Sequence, residues 1–238
     1  MNSQDYIKEW NAKYRKADFQ FLLKDICDIY PKNIIFSTSF NIEDQIITHF
    51  IAKNNFNIEV FTLDTGRLFQ QTYSTWQETI NKYKINIKVY YPNEQDIQNL
   101  IATQGPNGFY NSIENRIQCC NVRKVKSLEK ALKNKKIWIT GVRAEHSEFR
   151  QNMNLFEWDE RFQIIKFNPL LYWSKEDVVD CIKKNQIPYN PLFDKGFLSI
   201  GCEPCTRAIK PGEQYRDGRW WWENSQEKKE CGLHTKNN

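Results

Sequence analysis

Two pairs of cysteines carry the first chemical signal. Cys119 and Cys120 are adjacent, and Cys202 and Cys205 are separated only by Glu203 and Pro204. Thiolates are soft ligands, and four of them suit zinc or an iron–sulfur cluster. Zinc ribbons use two Cys-x2-Cys knuckles, whereas one pair here has no spacer. Adjacent cysteines chelate one small tetrahedral ion only under strain and reach two iron atoms of a larger cubane more easily. The residues alone leave zinc and a [4Fe–4S] cluster both open. A fifth thiol, Cys231, stands among Glu227, Lys228, Lys229, Glu230 and His234. A thiol on a polar stretch beside cations is favoured as thiolate, hence as a nucleophile. An incidental surface cysteine is the plain alternative, and His234 is either a proton partner or a solvated residue. Cys27 and Cys181 lie in apolar, helix-like stretches and are expected to pack inertly.

Four further patches suit an anion. Ser37-Thr38-Ser39-Phe40-Asn41-Ile42-Glu43-Asp44 opens a helix, where hydroxyls and free N–H groups bind anions. It lacks the glycines and lysine of a Walker loop. Leu63-Asp64-Thr65-Gly66-Arg67 is a turn, and 141–150 carries Gly141, Arg143, His146 and Arg150. Arg216 and Arg219 precede three tryptophans, Trp220, Trp221 and Trp222. Guanidinium groups bind phosphate and sulfate through paired hydrogen bonds. Each patch alone is ordinary capping or surface charge. Together, at strand ends or beside the cysteines, they point to one shared anionic ligand.

These residues need a scaffold. Apolar runs at 33–37, 58–63, 86–90 and 137–141 read as strands. Helices are expected at 42–53, where Ile42, Ile46, Ile47, Phe50 and Ile51 share a face, and at 67–83, 94–102 and 121–132. Another starts at Ser174, with acidic residues in its first turn. Such alternation predicts a doubly wound, mostly parallel α/β sheet, which binds ligands at the carboxyl ends of its strands. From Pro188 the pattern breaks into an irregular cysteine-bearing segment, expected to drape over the sheet edge. The chain has 238 residues, 40% hydrophobic and 14% aromatic, enough for one sizeable core. The N-terminus shows no signal peptide, and no run approaches bilayer-spanning length. A cytoplasmic protein without membrane contact is expected, and there grouped cysteines more often bind metal than form disulfides. A net charge of +5 without a dense basic block argues against nucleic acid as partner.

Taken together, residues 37–44, 62–67, Cys119-Cys120 with Val122-Arg123-Lys124, 141–150, 202–207, 216–222 and Glu230-Cys231-Gly232-Leu233-His234 closely resemble the adenylyl-sulfate/phosphoadenylyl-sulfate reductase family, on its assimilatory adenylyl-sulfate side. The match runs from about residue 33 onward. It implies a fold of the adenine-nucleotide alpha-hydrolase-like type, with a modified pyrophosphate loop at 37–44. It implies a [4Fe–4S] cluster on Cys119, Cys120, Cys202 and Cys205, and Cys231 as nucleophile on a catalytic tail, 211–238, following an α/β domain, 1–210. Substrate would lie against Ser37, Ser39, Asp44, Leu63, Lys124, Gly141, Arg150, Arg216 and Arg219. Family members with the cluster cysteines point to adenosine 5′-phosphosulfate as substrate. A Cys231 S-sulfonate would then be reduced by thioredoxin, releasing sulfite, with AMP as the other product; a homo-oligomer is expected. One departure is Asn41, where the family often has Gly; asparagine tolerates positive φ, so the turn is expected to survive. The rivals are a reductase of the 3′-phosphorylated substrate, a zinc-bearing nucleotide-binding protein without redox chemistry, and a pyrophosphate-loop enzyme acting on tRNA. The last lacks its Ser-Gly-Gly-x-Asp loop here.

Overall fold

Strands buried on both faces need apolar residues at successive positions, not alternate ones. Ile34-Ile35-Phe36 and Ile137-Trp138-Ile139 meet that need, and in the computed structural model, which describes residues 3–15 and 17–223, they form the centre of the sheet. Strands β1 (Ile34–Ser37) and β4 (Ile137–Ile139) run parallel, with Ile35 opposite Trp138. On the other side of β1 lie β2 (Glu59–Leu63) and then β3 (Ile87–Tyr90), both parallel. Beyond β4 the sheet continues with β6 (Ile164–Phe167), parallel to it, and β5 (Phe156–Asp159), antiparallel. The order is β3-β2-β1-β4-β6-β5. This is the expected doubly wound, mostly parallel sheet, enlarged by a hairpin that apolar periodicity did not reveal. Phe156-Glu157-Trp158-Asp159 does alternate apolar and charged residues, but over only four positions, the short limit of a strand signal. Its outer edge is closed by helix α1 (Ser3–Tyr14). Asn11 Nδ2 donates to Phe156 O at 2.9 Å, and Phe156 N–H donates to Asn11 Oδ1 at 2.9 Å. A side-chain amide thus occupies the groups through which a bare edge would pair with another chain.

The remaining helices are α2 (Phe19–Ile29), α3 (Ile42–Lys53), α4 (Gln70–Tyr83), α5 (Glu94–Gln104), α6 (Ile113–Cys120), α7 (Lys126–Leu132), α8 (Glu148–Gln151) and α9 (Lys175–Asn185). Every residue of α3 from Ile42 to Ile51 is buried, as befits a helix packed on all sides. Ser174 caps α9 as expected, in a reciprocal pair with Asp177. Two expectations shift. Helix α4 starts at Gln70 rather than Arg67, because Leu68 stays extended to pair with Cys202. The helix expected at 121–132 begins earlier, at α6 capped by Ser112, and passes through a π turn, Asn121–Val125, before α7. A π turn inserts one residue per turn and commonly marks a functional site. Here it follows directly on Cys119 and Cys120.

After β3 the chain returns to the opposite side of β1, so the connections leaving β1 and β4 diverge. Their carboxyl ends border the crevice that such a reversal opens. The segment from Pro188 is irregular, as expected, but it crosses those strand ends instead of the sheet edge. Leu192 and Ile200 pack on Phe69, Glu203 N–H donates to Arg67 O at 2.8 Å, and Trp220 N–H donates to Cys205 O at 3.2 Å. No helix among the described residues is long and apolar enough to cross a membrane.

Candidate active site

One cleft opens at the switch point. The 37–44 loop forms one wall, Thr62 and Leu63 end β2, and Thr140, Gly141 and Val142 follow β4. Lys124 enters from the π turn, Arg150 from α8, and Arg216 and Arg219 from the C-terminal segment. Ser37, Ser39, Asp44, Leu63, Lys124, Gly141, Arg150, Arg216 and Arg219, all nine singled out in the sequence, line this cleft. Ser39 donates both its N–H and its hydroxyl to Asp44 Oδ2, each at 2.7 Å. Burial pushes the Asp44 carboxyl up to about 7 despite those donors. Gly141 faces Asp44 so closely that a Cβ would overlap Oδ1. The turn survives for a reason other than the one expected. Asn41 is extended, at φ −69°, and Phe40 takes the left-handed conformation, at φ 59°. Phe40 is fully buried and stacks on Trp76 at 5.4 Å, contacts that hold a strained residue in place.

Behind the loop lies a buried network that residue spacing did not reveal. Arg143 Nε donates to Glu43 Oε1 at 2.9 Å, and His146 Nε2 lies 3.0 Å from the same oxygen. His146 Nδ1 faces two donors, Arg143 N–H at 3.4 Å and Arg150 Nη1 at 3.1 Å. Nδ1 is therefore the acceptor, and Nε2 carries the proton given to Glu43. Burial lowers the His146 pKa, keeping the ring neutral, and Tyr215 stacks on it at 4.3 Å. Burial alone would raise the Glu43 carboxyl, but His146 and the permanently charged Arg143 hold it at about 2. The network orients Arg150 at the cleft. A hint was present in the sequence: Glu43 and Asp44 sit between Ile42 and Ile46, positions of the helix's apolar face.

The four cysteines of the two pairs line a second, smaller cavity, with Arg67, Arg116, Arg123 and Lys124 around it. Phe109 and Trp220 pack against the thiols. Burial pushes the Cys202 thiol up, but Lys124, the Thr65 hydroxyl 3.3 Å away, Arg219 and Arg123 together bring it below its usual value. Burial and the neighbouring Cys202 push Cys205 up to about 12, and burial raises Cys119. Four soft donors ringed by cations and free of carboxylates fit a group that is anionic once thiolate-bound, as an iron–sulfur cluster is. Among the described residues no three Cys, His, Asp or Glu side chains are set to hold a single metal ion. The six described cysteines are all free thiols. Lys124 lines both the cleft and the cysteine cavity. Cys231 and His234 lie outside the described residues. The chain is followed to Glu223, which Arg116 holds by two hydrogen bonds, at 2.8 and 2.9 Å.

Residues 33–208 match the phosphoadenosine phosphosulfate reductase domain. The chain belongs to this family. Curated relatives agree. The adenosine 5′-phosphosulfate reductase of Sinorhizobium fredii (strain USDA 257) is 52% identical over 84% of this chain and 80% of its own length. The one from Allochromatium vinosum is 43% identical over 93% and 86%. Among solved structures, a phosphoadenylyl-sulfate reductase from Candida auris superposes with a TM-score of 0.74 at 25% identity, over 88% of this chain and 98% of that one. A Candida glabrata FMN adenylyltransferase superposes at 0.55 with 13% identity, over 86% of this chain and 69% of that one, a likeness of fold alone.

Proposed function

We propose that this chain reduces adenosine 5′-phosphosulfate to sulfite and AMP, in the cytoplasm, as a step of sulfate assimilation. The observation that carries this reading is the cleft itself. Hydroxyls and four cations from three separate elements converge at the switch point, with the cysteine cavity immediately behind Lys124. The relatives named adenosine 5′-phosphosulfate reductase support the choice of substrate. The α-phosphate lies against the 37–44 loop and the adenine near Leu63. Lys124, Arg150, Arg216 and Arg219 surround the phosphosulfate.

The Cys231 thiolate attacks the substrate sulfur. A sulfur–sulfur bond forms, the sulfur–oxygen bond to AMP breaks, and its electron pair leaves on the phosphate oxygen. Charge grows on that oxygen in the transition state, where fixed cations act most strongly. The product is a Cys231 S-sulfonate. One thiol of a reduced dithiol protein, thioredoxin, then attacks the Cys231 sulfur, and sulfite leaves with the sulfur–sulfur pair. The second thiol of thioredoxin displaces Cys231, which returns as a thiol. Thioredoxin ends as a disulfide, so it supplies both electrons. Cys119, Cys120, Cys202 and Cys205 would hold a [4Fe–4S] cluster, which when bound would tie α6 to the 202–205 turn and supply charge beside Lys124.

The test is anaerobic sulfite release with reduced thioredoxin, comparing adenosine 5′-phosphosulfate with its 3′-phosphorylated form. A preference for the former is expected. The superposition on a phosphoadenylyl-sulfate reductase favours the rival substrate, and a preference for the 3′-phosphorylated form would establish it. Turnover of neither, by protein that holds iron, overturns both.

A further inference from the structure

Asn41 holds the N-cap position of α3, where asparagine is among the best residues for accepting a first-turn N–H bond. It makes no such bond. Its amide reaches the cysteine-bearing segment instead, 159 positions away in the chain. Asn41 Nδ2 donates to Ile200 O at 3.2 Å, and Ile200 N–H donates to Asn41 Oδ1 at 3.2 Å. Two opposed bonds to one residue imitate a rung of paired strands and set direction as well as distance. Nδ2 also donates to Ser39 Oγ at 2.7 Å, and Ser39 in turn bonds Asp44. The amide is therefore fully used, with one end in the anion-binding loop and the other on Ile200. Directly after Ile200 come Gly201, packed on the Arg219 guanidinium, and Cys202.

We propose that Asn41 is a latch that couples nucleotide binding in the 37–44 loop to the order of the Cys202–Cys205 turn. It is a positioning residue. A nucleotide that steadies the loop steadies Ile200 through the amide, and with it the turn. By reciprocity, an ordered turn holds the loop ready for the nucleotide. The identity of the nucleotide rests on the proposed function. The coupling rests on the amide bonds.

Hydrogen–deuterium exchange with AMP as the probe decides the matter. The peptide Glu203 to Thr206 is informative, because none of its residues lines the cleft. In the wild-type holoprotein, saturating AMP is expected to slow exchange there by about fivefold or more, the lower end of ordinary coupling between sites. In Asn41→Gly both amide bonds are gone, and AMP is expected to bind, by calorimetry, without slowing this peptide. Asn41→Asp keeps the acceptor for Ile200 N–H and loses the donors to Ile200 O and to Ser39 Oγ, so its protection should fall between the two; it decides the question if the glycine variant folds poorly. Equal protection in wild type and variants, with AMP bound in each, overturns the latch, as does AMP binding to wild type without protection. Failure of AMP to bind wild type overturns the substrate reading and the latch with it.

Discussion

Gly201 lies flat against the guanidinium of Arg219; a Cβ there would overlap Nη2 and stand 2.6 Å from Cζ. Trp220 backs the same guanidinium, its ring centroid 4.5 Å from Cζ, and Ser199 Oγ accepts from Nη1 at 3.5 Å. Arg219 is buried, and its Nε has no hydrogen-bond partner among the described residues. A buried donor without a partner is costly, and an anion in the cleft would supply one. Gly201→Ala should displace Arg219 and lower kcat/KM for adenosine 5′-phosphosulfate on the order of 10²-fold, as loss of one transition-state donor does. Arg219→Ala should lower it equally, and the double variant little further, because both changes remove one interaction. Independent, multiplying losses would show that Gly201 acts elsewhere.

Arg116 and Glu223 form a buried pair, 1% and 3% exposed, at the last described residue before the tail that carries Cys231. Glu223→Gln removes the carboxylate that faces the buried Arg116 guanidinium. That should cost about 3–5 kcal/mol, measured by urea unfolding of the holoprotein. Arg116→Met with Glu223→Leu should recover most of the loss. A Gln variant as stable as wild type would mean that the pair is solvated in solution.

Stability should fall in acid in two stages. His146 is held neutral, with its pKa below the usual 6.5, so the unfolded chain binds the extra proton first. Its contribution is whole above about 6.5 and is lost as pH falls below that. Glu43 is held at about 2 against an ordinary 4.5, so its contribution is present above 4.5 and lost as pH falls toward 2. Urea midpoints across pH should show both stages once Asp44, which acts in the opposite sense between about 3.8 and about 7, is replaced by Asn. In His146→Gln only the lower should remain; an unchanged upper stage would assign it to another group.

Asp44 behaves in the opposite sense. Its carboxyl, raised to about 7 from 3.8, binds its proton more tightly in the folded chain. Its effect is to lower stability as pH rises from about 3.8 to about 7. In the cleft, ionisation sets a negative charge near the phosphate site. The Kd for AMP should rise on the order of tenfold, about 1.4 kcal/mol, as pH passes through about 7, and Asp44→Asn should flatten the curve. The same pH dependence in the variant would exclude Asp44 as its source.

Cys231→Ser should bind AMP as wild type does and accumulate no S-sulfonate with adenosine 5′-phosphosulfate. Intact mass after one turnover, with no reductant present, checks this. A sulfonate adduct on the serine variant would place the nucleophile elsewhere.

Much of this protein is legible in one dimension. Ile34-Ile35-Phe36 and Ile137-Trp138-Ile139 announce buried parallel strands, and Ser174 with Asp177 announces a capped helix, because backbone geometry responds to near neighbours. Strand β5 is not legible alone, because its alternation of apolar and charged residues runs for only four positions.

Residue type and local spacing by themselves determined the central strands and the cysteine pairs as ligand candidates, and the family resemblance carried by the motifs named the nine residues that line the cleft. Only the tertiary structure decided which of these meet, and through whom. Arg143 finds Glu43 across 100 positions, Arg116 finds Glu223 across 107, and Asn41 finds Ile200 across 159. Asn41 has the ideal chemistry for a helix cap, yet its amide serves the loop crossing above it. The physical reason is that these pairings follow from how layers pack around a shared core. Their energy depends on burial and mutual geometry, which sequence separation does not encode.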